Sequence, residues 1–212
     1  MKKIILATFL FSFSALLSAA ESFLPQTFSA DFEQTQISAL SGKEKKSQGH
    51  LDYKFPGHIR FEVNKPDVII FVSNPRKTWY YTAPFVAGEP GEVTVKPTGK
   101  LALSKFFDAL KQGLKSNDLY SVKENDKDKD KDKDFNTELI FSKKSQEELG
   151  IVSATLIFTK KKEFSALSTI ELLKNDKAKA KVKLVFSNMK INNELAKERF
   201  EFQAPPNTRS SQ

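Results

Sequence analysis

Histidine and cysteine, which are frequent in catalytic and metal sites, are scarce in this 212-residue chain, with two histidines and no cysteine. The two histidines, His50 and His58, lie in one short stretch together with Asp52 and Glu62. Imidazole and carboxylate groups bind divalent metals, so these four side chains could in principle form a metal site. Two histidines on the polar face of a hairpin are more typical of ordinary surface positions, however. We therefore predict no metal site and no cofactor.

Motifs for enzyme nucleophiles and for phosphate binding are missing from the sequence. There is no cysteine, no Gly-x-Ser-x-Gly segment and no glycine-rich phosphate-binding loop. Without a nucleophile, a neighbouring base or a metal cluster, the sequence does not favour catalysis. We therefore predict that the protein is not an enzyme and that its function is binding or transport.

The stretch that holds the histidines, residues 49–63, predicts two short strands joined at a Lys-Phe-Pro-Gly corner. Apolar and polar side chains alternate along both, as in strands that are buried on one face. The apolar side chains are Leu51, Tyr53, Ile59, Phe61 and Val63. The histidines and their acidic neighbours belong to the opposite, polar face.

Strand-like segments recur along the whole chain, with turn signals between them. They are residues 27–36, 48–53, 58–63, 68–72, 78–82, 92–96, 139–142, 151–159, 167–173, 181–187 and 200–203. Ten or eleven strands in hairpin order predict a mainly β fold with few helices. One antiparallel sheet of that size must curl.

A single convincing helix is predicted over residues 101–114. Its apolar residues recur at helical spacing and form one stripe, namely Leu103, Phe106, Phe107, Leu110 and Leu114. We expect this helix to lie on the concave face of the curved sheet. It would be either a plug that completes the core or a lid over a cavity.

The first 20 residues have the features of a secretory signal peptide. Lys2 and Lys3 precede an apolar run over residues 4–17, and small residues follow. The mature protein is expected to begin near Glu21, with residues 21–212 forming one domain. The lack of cysteine excludes a thioether lipid anchor and any disulfide, so we expect a soluble, exported protein.

Composition adds two indications about partners. The formal net charge of +8 falls to +6 once Lys2 and Lys3 are removed, which suits an anionic surface. Export argues against nucleic acid. Sixteen of the 19 phenylalanines lie outside the signal segment and indicate a large core or an apolar pocket.

Residues 126–134 alternate Asp and Lys, which predicts a flexible charged loop without a calcium site.

Several of these motifs occur together, and in that combination the chain resembles the LolA family of periplasmic outer-membrane lipoprotein carriers. The motifs are the Lys54-x-Pro56 corner, the Ile59–Glu62 strand, Trp79-x-Tyr81 and Pro84-Phe85. The resemblance is dense over residues 28–95, with a weaker echo at residues 200–206. It implies a monomeric, curved antiparallel half-barrel whose hydrophobic interior is capped by a helical lid.

The resemblance also implies a lipid site and a function. Its candidate cavity residues are Tyr53, Ile59, Phe61, Phe71, Trp79 and Tyr81, with Phe106, Phe107 and Leu110 on the lid. The expected function is to bind lipoprotein acyl chains and shuttle them through the periplasm from the inner to the outer membrane. Expected partners are lipoprotein cargo, an inner-membrane ABC-type release complex and an outer-membrane acceptor. A periplasmic sensor or regulator of the same fold, and a structural envelope protein without a ligand, stay open as alternatives.

Two departures from the family pattern concern the lid. Family members often have an arginine before the corner proline that holds the lid by hydrogen bonds, whereas this chain has Phe55 there. Arg60 supplies a guanidinium on the neighbouring strand, so Phe55 and Arg60 are the candidate latch positions. The family usually opens with an amphipathic helix, but only residues 21–26 precede the first strand here. A smaller cap is therefore expected.

Overall fold

The protein was analysed as a computed structural model that describes residues 22–37, 42–97, 101–124, 135–177 and 179–211. The predicted signal peptide, residues 1–20, and the predicted charged loop, residues 126–134, lie outside the described residues.

The described residues form one open, curved sheet of twelve strands. The strands are β1 Thr27–Ile37, β2 Glu44–Lys54, β3 His58–Lys65, β4 Ile69–Ser73, β5 Lys77–Thr82, β6 Gly91–Pro97, β7 Tyr120–Glu124, β8 Phe135–Phe141, β9 Ile151–Phe158, β10 Leu167–Lys174, β11 Lys181–Ile191 and β12 Thr208–Ser211. Their order across the sheet is β12-β6-β5-β4-β3-β2-β1-β11-β10-β9-β8-β7. Two antiparallel meanders, β1 to β6 and β7 to β11, are joined where β1 pairs with β11.

The mainly β fold with few helices is confirmed, and the strand count differs slightly from the prediction. The short strands β7 and β12 were not predicted, and β12 pairs in parallel with β6. The predicted strand at residues 200–203 is wrong, because a 3-10 turn at Lys197–Phe200 and irregular chain occupy this segment. Its alternating phenylalanines reflect packing on the sheet rather than pairing within it, since Phe200 is buried there.

Two α-helices occur in the described part of the chain. The first, α1 Ala102–Ala109, continues into a 3-10 turn at Leu110–Gln112 and ends at Gly113, where φ is 79°. This agrees closely with the predicted helix. The second, α2 Lys143–Leu149, was not predicted, since it contains a single large apolar residue. It is defined by its ends, because Ser142 caps its first turn and Gly150 takes the left-handed conformation after its last.

The core lies between the concave face of the sheet and α1. Phe28 on β1 has its ring centroid 5.2 Å from Tyr53 on β2 and 5.0 Å from Phe107 on α1. Phe106, beside it on the helix, lies 6.2 Å from Phe141 on β8. These rings are fully or almost fully buried. The helix therefore covers the middle of the concave face, as the predicted half-barrel with a helical lid requires.

One glycine on the concave face permits a close aromatic contact. Phe32 and Phe61 stack with their centroids 4.2 Å apart, and Gly49 lies on the strand between them. A β-carbon at Gly49 would lie 1.8 Å from the Glu62 carbonyl oxygen and 2.6 Å from the Phe32 ring. Any side chain there would force these strands or rings apart.

Candidate functional site

An apolar cavity of about 450 Å³ opens at one end of the half-barrel. It lies where β1, β3 and β10 end and where β2, β4, β9, β11 and α1 begin. Its apolar lining consists of Ile59, Phe61, Val63, Pro66, Ile69, Phe71, Leu101, Ala102, Leu103, Leu149, Ile151, Leu172, Val182 and Leu184. This volume falls within the range of about 300–1,000 Å³ that is usual for small-molecule sites.

Three of the residues expected to face a cavity do line it. Ile59 and Phe61 project from β3, and Phe71 projects from the neighbouring strand β4. Phe61 and Phe71 are paired in the register, and their ring centroids lie 6.4 Å apart. The apolar face of β3 could be identified from alternation in the sequence, whereas Phe71 was expected here from the family resemblance alone, because β4 is apolar on both faces.

Trp79 and Tyr81 were expected in the cavity, and the strand register corrects this expectation. Phe71 pairs with Tyr80, so Tyr80 shares its face, with the two rings 4.6 Å apart. Trp79 and Tyr81 therefore lie on the convex face, where Tyr81 packs 5.2 Å from Phe202. Three aromatic residues in succession gave no alternation from which the face could be predicted.

The other predicted site residues lie deeper in the molecule. Tyr53, Phe106, Phe107 and Leu110 are fully buried in the core and do not line the cavity. The helix contributes its first residues instead, through Leu101, Ala102 and Leu103. Because Phe106, Phe107 and Leu110 are occupied by core contacts, only the N-terminal end of the helix lines the cavity.

Asp108 fastens α1 to the hairpin between β2 and β3. The Tyr53 hydroxyl donates a hydrogen bond of 2.5 Å to the Asp108 carboxylate, and the Gly57 backbone N–H donates another of 2.8 Å. Burial and this bond raise the pKa of Tyr53 well above its ordinary value, so Tyr53 stays a donor. Asp108 lies outside the apolar stripe of the predicted helix, and the sequence gave no sign of these hydrogen bonds.

The two predicted latch positions have other roles. At Phe55 the ring lies 5.1 Å below the Lys111 ammonium, a cation–π contact between the hairpin corner and the turn after α1. Arg60 lies on the convex face, pairs with Glu62 and donates to the backbone carbonyls of Arg199 and Glu201, each at 3.5 Å. Arg60 thus holds the C-terminal segment rather than the lid.

His50 belongs to a charged network on the same convex face. Its Nδ1 lies 2.6 Å from Asp31, its Nε2 lies 3.2 Å from Asp52, and Arg199 donates to Asp52 at 2.6 Å. Hydrogen bonding to Asp52 and then to Asp31 raises the pKa of His50 to about 9. Burial alone would raise the pKa of Asp52, but donors on His50, Ser29 and Arg199 hold it well below its usual range.

His58 does not join this network, since its Nδ1 lies 2.9 Å from the Pro56 carbonyl and its ring packs on Phe200. Among the residues that the structure describes, no group of three or more acidic or histidine side chains is arranged to hold a metal ion. The histidines that suggested a metal site thus take part in ion pairing and packing.

A second cavity of similar volume lies near residues 22–26 and 162–165. Lys111, Lys162 and Glu163 contribute to its lining, which is about as polar as it is apolar. The larger apolar surface of the cavity at the start of α1 makes that one the candidate for a hydrophobic ligand. No helix in the described ranges is long and apolar enough to span a membrane.

An open, curved and mainly antiparallel sheet with an apolar cavity beside a covering helix defines the class of helix-capped half-barrels. Within that class, the family model described as outer membrane lipoprotein carrier protein LolA matches residues 25–203, and the chain belongs to this family.

Individual relatives are distant. The outer-membrane lipoprotein carrier protein of Francisella tularensis is 23% identical over 218 residues, which cover 98% of this chain and 96% of the relative. The protein of the same name from Glaesserella parasuis is 32% identical over 99 residues, covering 46% and 45% of the two chains. A crystal structure of a LolA superfamily protein from Nitrosomonas europaea aligns with a TM-score of 0.41 and 16% identity, over 84% and 91%.

Proposed function

We propose that this protein is a periplasmic carrier that holds the acyl chains of lipoproteins in the cavity at the start of α1 and moves them from the inner to the outer membrane. The apolar lining of that cavity is the observation that carries the proposal. Burial of each methylene contributes about 0.8 kcal/mol, so a cavity of this kind gives acyl chains substantial affinity.

The proposal includes the partners that such transport needs. An inner-membrane ABC-type release complex would supply the lipoprotein, and an outer-membrane acceptor would take it. The protein part of the cargo would stay in water, because the cavity has room for a hydrophobic chain and not for a folded domain. Membership of a carrier family supports this reading, and no catalytic step is assigned to the chain.

The proposal is tested by mass spectrometry of protein purified from the periplasm without detergent. Wild-type protein should retain lipoprotein. The cavity variants Phe71→Glu and Leu103→Glu should lose it, since an unpaired carboxylate in an apolar site is strongly unfavourable. The matched control is Val185→Glu, because Val185 is 39% exposed on the convex face of β11.

Urea unfolding shows whether each variant is folded, and only folded variants are compared. Equal amounts of lipoprotein on wild type and on both folded cavity variants would contradict the assignment of the cavity. A wild-type protein that never carries lipoprotein would contradict the carrier function itself.

A further inference from the structure

The cavity at the start of α1 is apolar inside and polar along part of its rim. The polar rim consists of Gln34, Gln36, Lys45, Ser47 and Lys174. A site for hydrocarbon alone gains nothing from such groups, because each must keep its hydration or find a hydrogen-bond partner. The combination indicates an amphiphilic ligand with a polar head at the rim.

The register places both lysines on the concave face. Lys45 pairs with Gln36, Gln36 with Val182 and Val182 with Leu172. Lys174 follows two residues after Leu172 on β10 and so projects to the same side. Three strand spacings of about 4.8 Å separate β2 from β10. The long, flexible lysine side chains can therefore approach one head group from two directions.

Within the described ranges, neither rim ammonium is neutralised by a carboxylate of the protein. Lys45 and Lys174 have no side-chain ion pair among the described residues, whereas Lys46 pairs with Glu44 at 3.9 Å and Lys183 pairs with Glu171 at 3.3 Å. One carboxylate, Asp67, also lines the cavity, from the turn between β3 and β4. Two lysines against one aspartate leave the lining with a net positive charge.

We propose that the cavity selects an acyl ligand that carries an anionic group next to its chain, with the anion between Lys45 and Lys174 and the chain in the apolar interior. This inference rests on the proposed acyl-binding function and specifies the head chemistry that the same site prefers. Charge-assisted hydrogen bonds from the two ammonium groups supply the selectivity. The anion is either a phospholipid phosphate or an acidic side chain that follows the acylated end of a lipoprotein.

Isothermal titration calorimetry with ligands of equal chain length tests the proposal. Below their aggregation limits, lysophosphatidylglycerol, which carries a net negative charge on its phosphate, should bind about tenfold more tightly than a neutral monoacylglycerol, as expected for charge-assisted contacts. The preference should disappear in the double variant Lys45→Gln/Lys174→Gln and increase in Asp67→Asn. Lys46→Gln is the matched control, since Lys46 lies next to Lys45 but on the other face of β2.

A second pair of ligands separates the two sources of the anion. Triacylated lipopeptides that end in Ser-Glu-Glu or Ser-Lys-Lys are compared in the same way. Preference for the acidic lipopeptide alone assigns the rim to the cargo peptide, and preference for lysophosphatidylglycerol alone assigns it to a phospholipid head. Equal affinity for all heads would overturn the proposed selectivity and leave acyl binding intact. Failure of every acyl ligand to bind, anionic and neutral alike, would contradict the proposed function instead.

Discussion

His50 lies between two carboxylates, and this position makes it a charged structural residue rather than a ligand. Asp31 is the nearer partner, but the buried Asp52 has the larger effect on its pKa because water screens a buried charge less. Asp52 in turn accepts from Arg199, whose backbone carbonyl accepts from Arg60. A chain of charged hydrogen bonds thus joins β1, β2 and β3 to the C-terminal segment.

The raised pKa of His50 predicts how stability depends on pH. A folded-state pKa of about 9, against 6.5 when unfolded, means that its contribution is complete below pH 6.5 and is lost as pH rises to about 9. Because His50 is partly exposed, we expect a loss of ~1 kcal/mol in the free energy of unfolding across this interval. Urea unfolding at a series of pH values measures it.

Two further results decide whether His50 is the source of that pH dependence. The variant His50→Gln should be less stable at pH 6 and should lose stability less steeply between pH 6.5 and 9. An unchanged pH profile in His50→Gln would show that other groups cause the loss of stability between pH 6.5 and 9.

The two aspartates affect stability at acid pH instead. The lowered pKa values of Asp31 and Asp52 add stability that is lost as pH falls below about 4, their unfolded value.

At the residue level, the sequence was informative where one face of a strand is apolar and the other polar. Ile59 and Phe61 could be placed because Arg60 and Glu62 alternate with them. Trp79, Tyr80 and Tyr81 could not, because β5 is aromatic on both faces and its orientation is set by pairing with β4. The hydrogen bonds to Asp108 could not be predicted from the sequence either, since they depend on where the β2–β3 hairpin, distant along the chain, meets α1.

At the level of elements, α1 is held over the sheet by two kinds of contact. Its apolar side packs into the aromatic core, and Asp108 on its polar side accepts hydrogen bonds from the β2–β3 hairpin. The family pattern places an arginine on the hairpin to hold the lid. In this chain the charged group is on the helix instead, and the hairpin provides the donors.

Removing the charge of Asp108 should loosen this attachment. The variant Asp108→Asn replaces a charged acceptor of two hydrogen bonds by a neutral amide, and we expect the free energy of unfolding to fall by about 2 kcal/mol. Urea unfolding measures the change in midpoint, with an unchanged slope showing that the folded state stays compact. The control is Asp118→Asn, an exposed aspartate in the loop after α1. Equal unfolding midpoints for the two variants would show that the hydrogen bonds to Asp108 contribute nothing to stability.

The C-terminal segment, residues 192–207, acts as a strap across the convex face. Asn192 donates to the Thr27 carbonyl, Asn74 donates to the Phe200 carbonyl, and Phe202 packs on Tyr81. The strap then leads into β12, which covers the free edge of β6. Sequence periodicity indicated a strand here because alternating phenylalanines look alike whether they face a neighbouring sheet or belong to one.

At the scale of the whole molecule, the half-barrel and the helix α1 that covers it follow from hairpin order and hydrophobic periodicity. The position of the cavity does not, because it depends on how far α1 extends along the concave face. The helix fills the middle of that face and leaves one end uncovered. The apolar cavity is therefore at the start of the helix, and Phe106, Phe107 and Leu110 beneath the helix serve as core.

The proposed binding of acyl chains on the concave face, at the cavity, can be tested by photo-crosslinking. A benzoylphenylalanine is placed at Phe71, which lines the cavity, and in a second protein at Trp79, on the adjacent strand but on the convex face. Each protein is irradiated with a triacylated lipopeptide, and adducts are identified by mass spectrometry. We expect an acyl-chain adduct at position 71 and none at position 79. Adducts at position 79, or equal labelling at both positions, would contradict it.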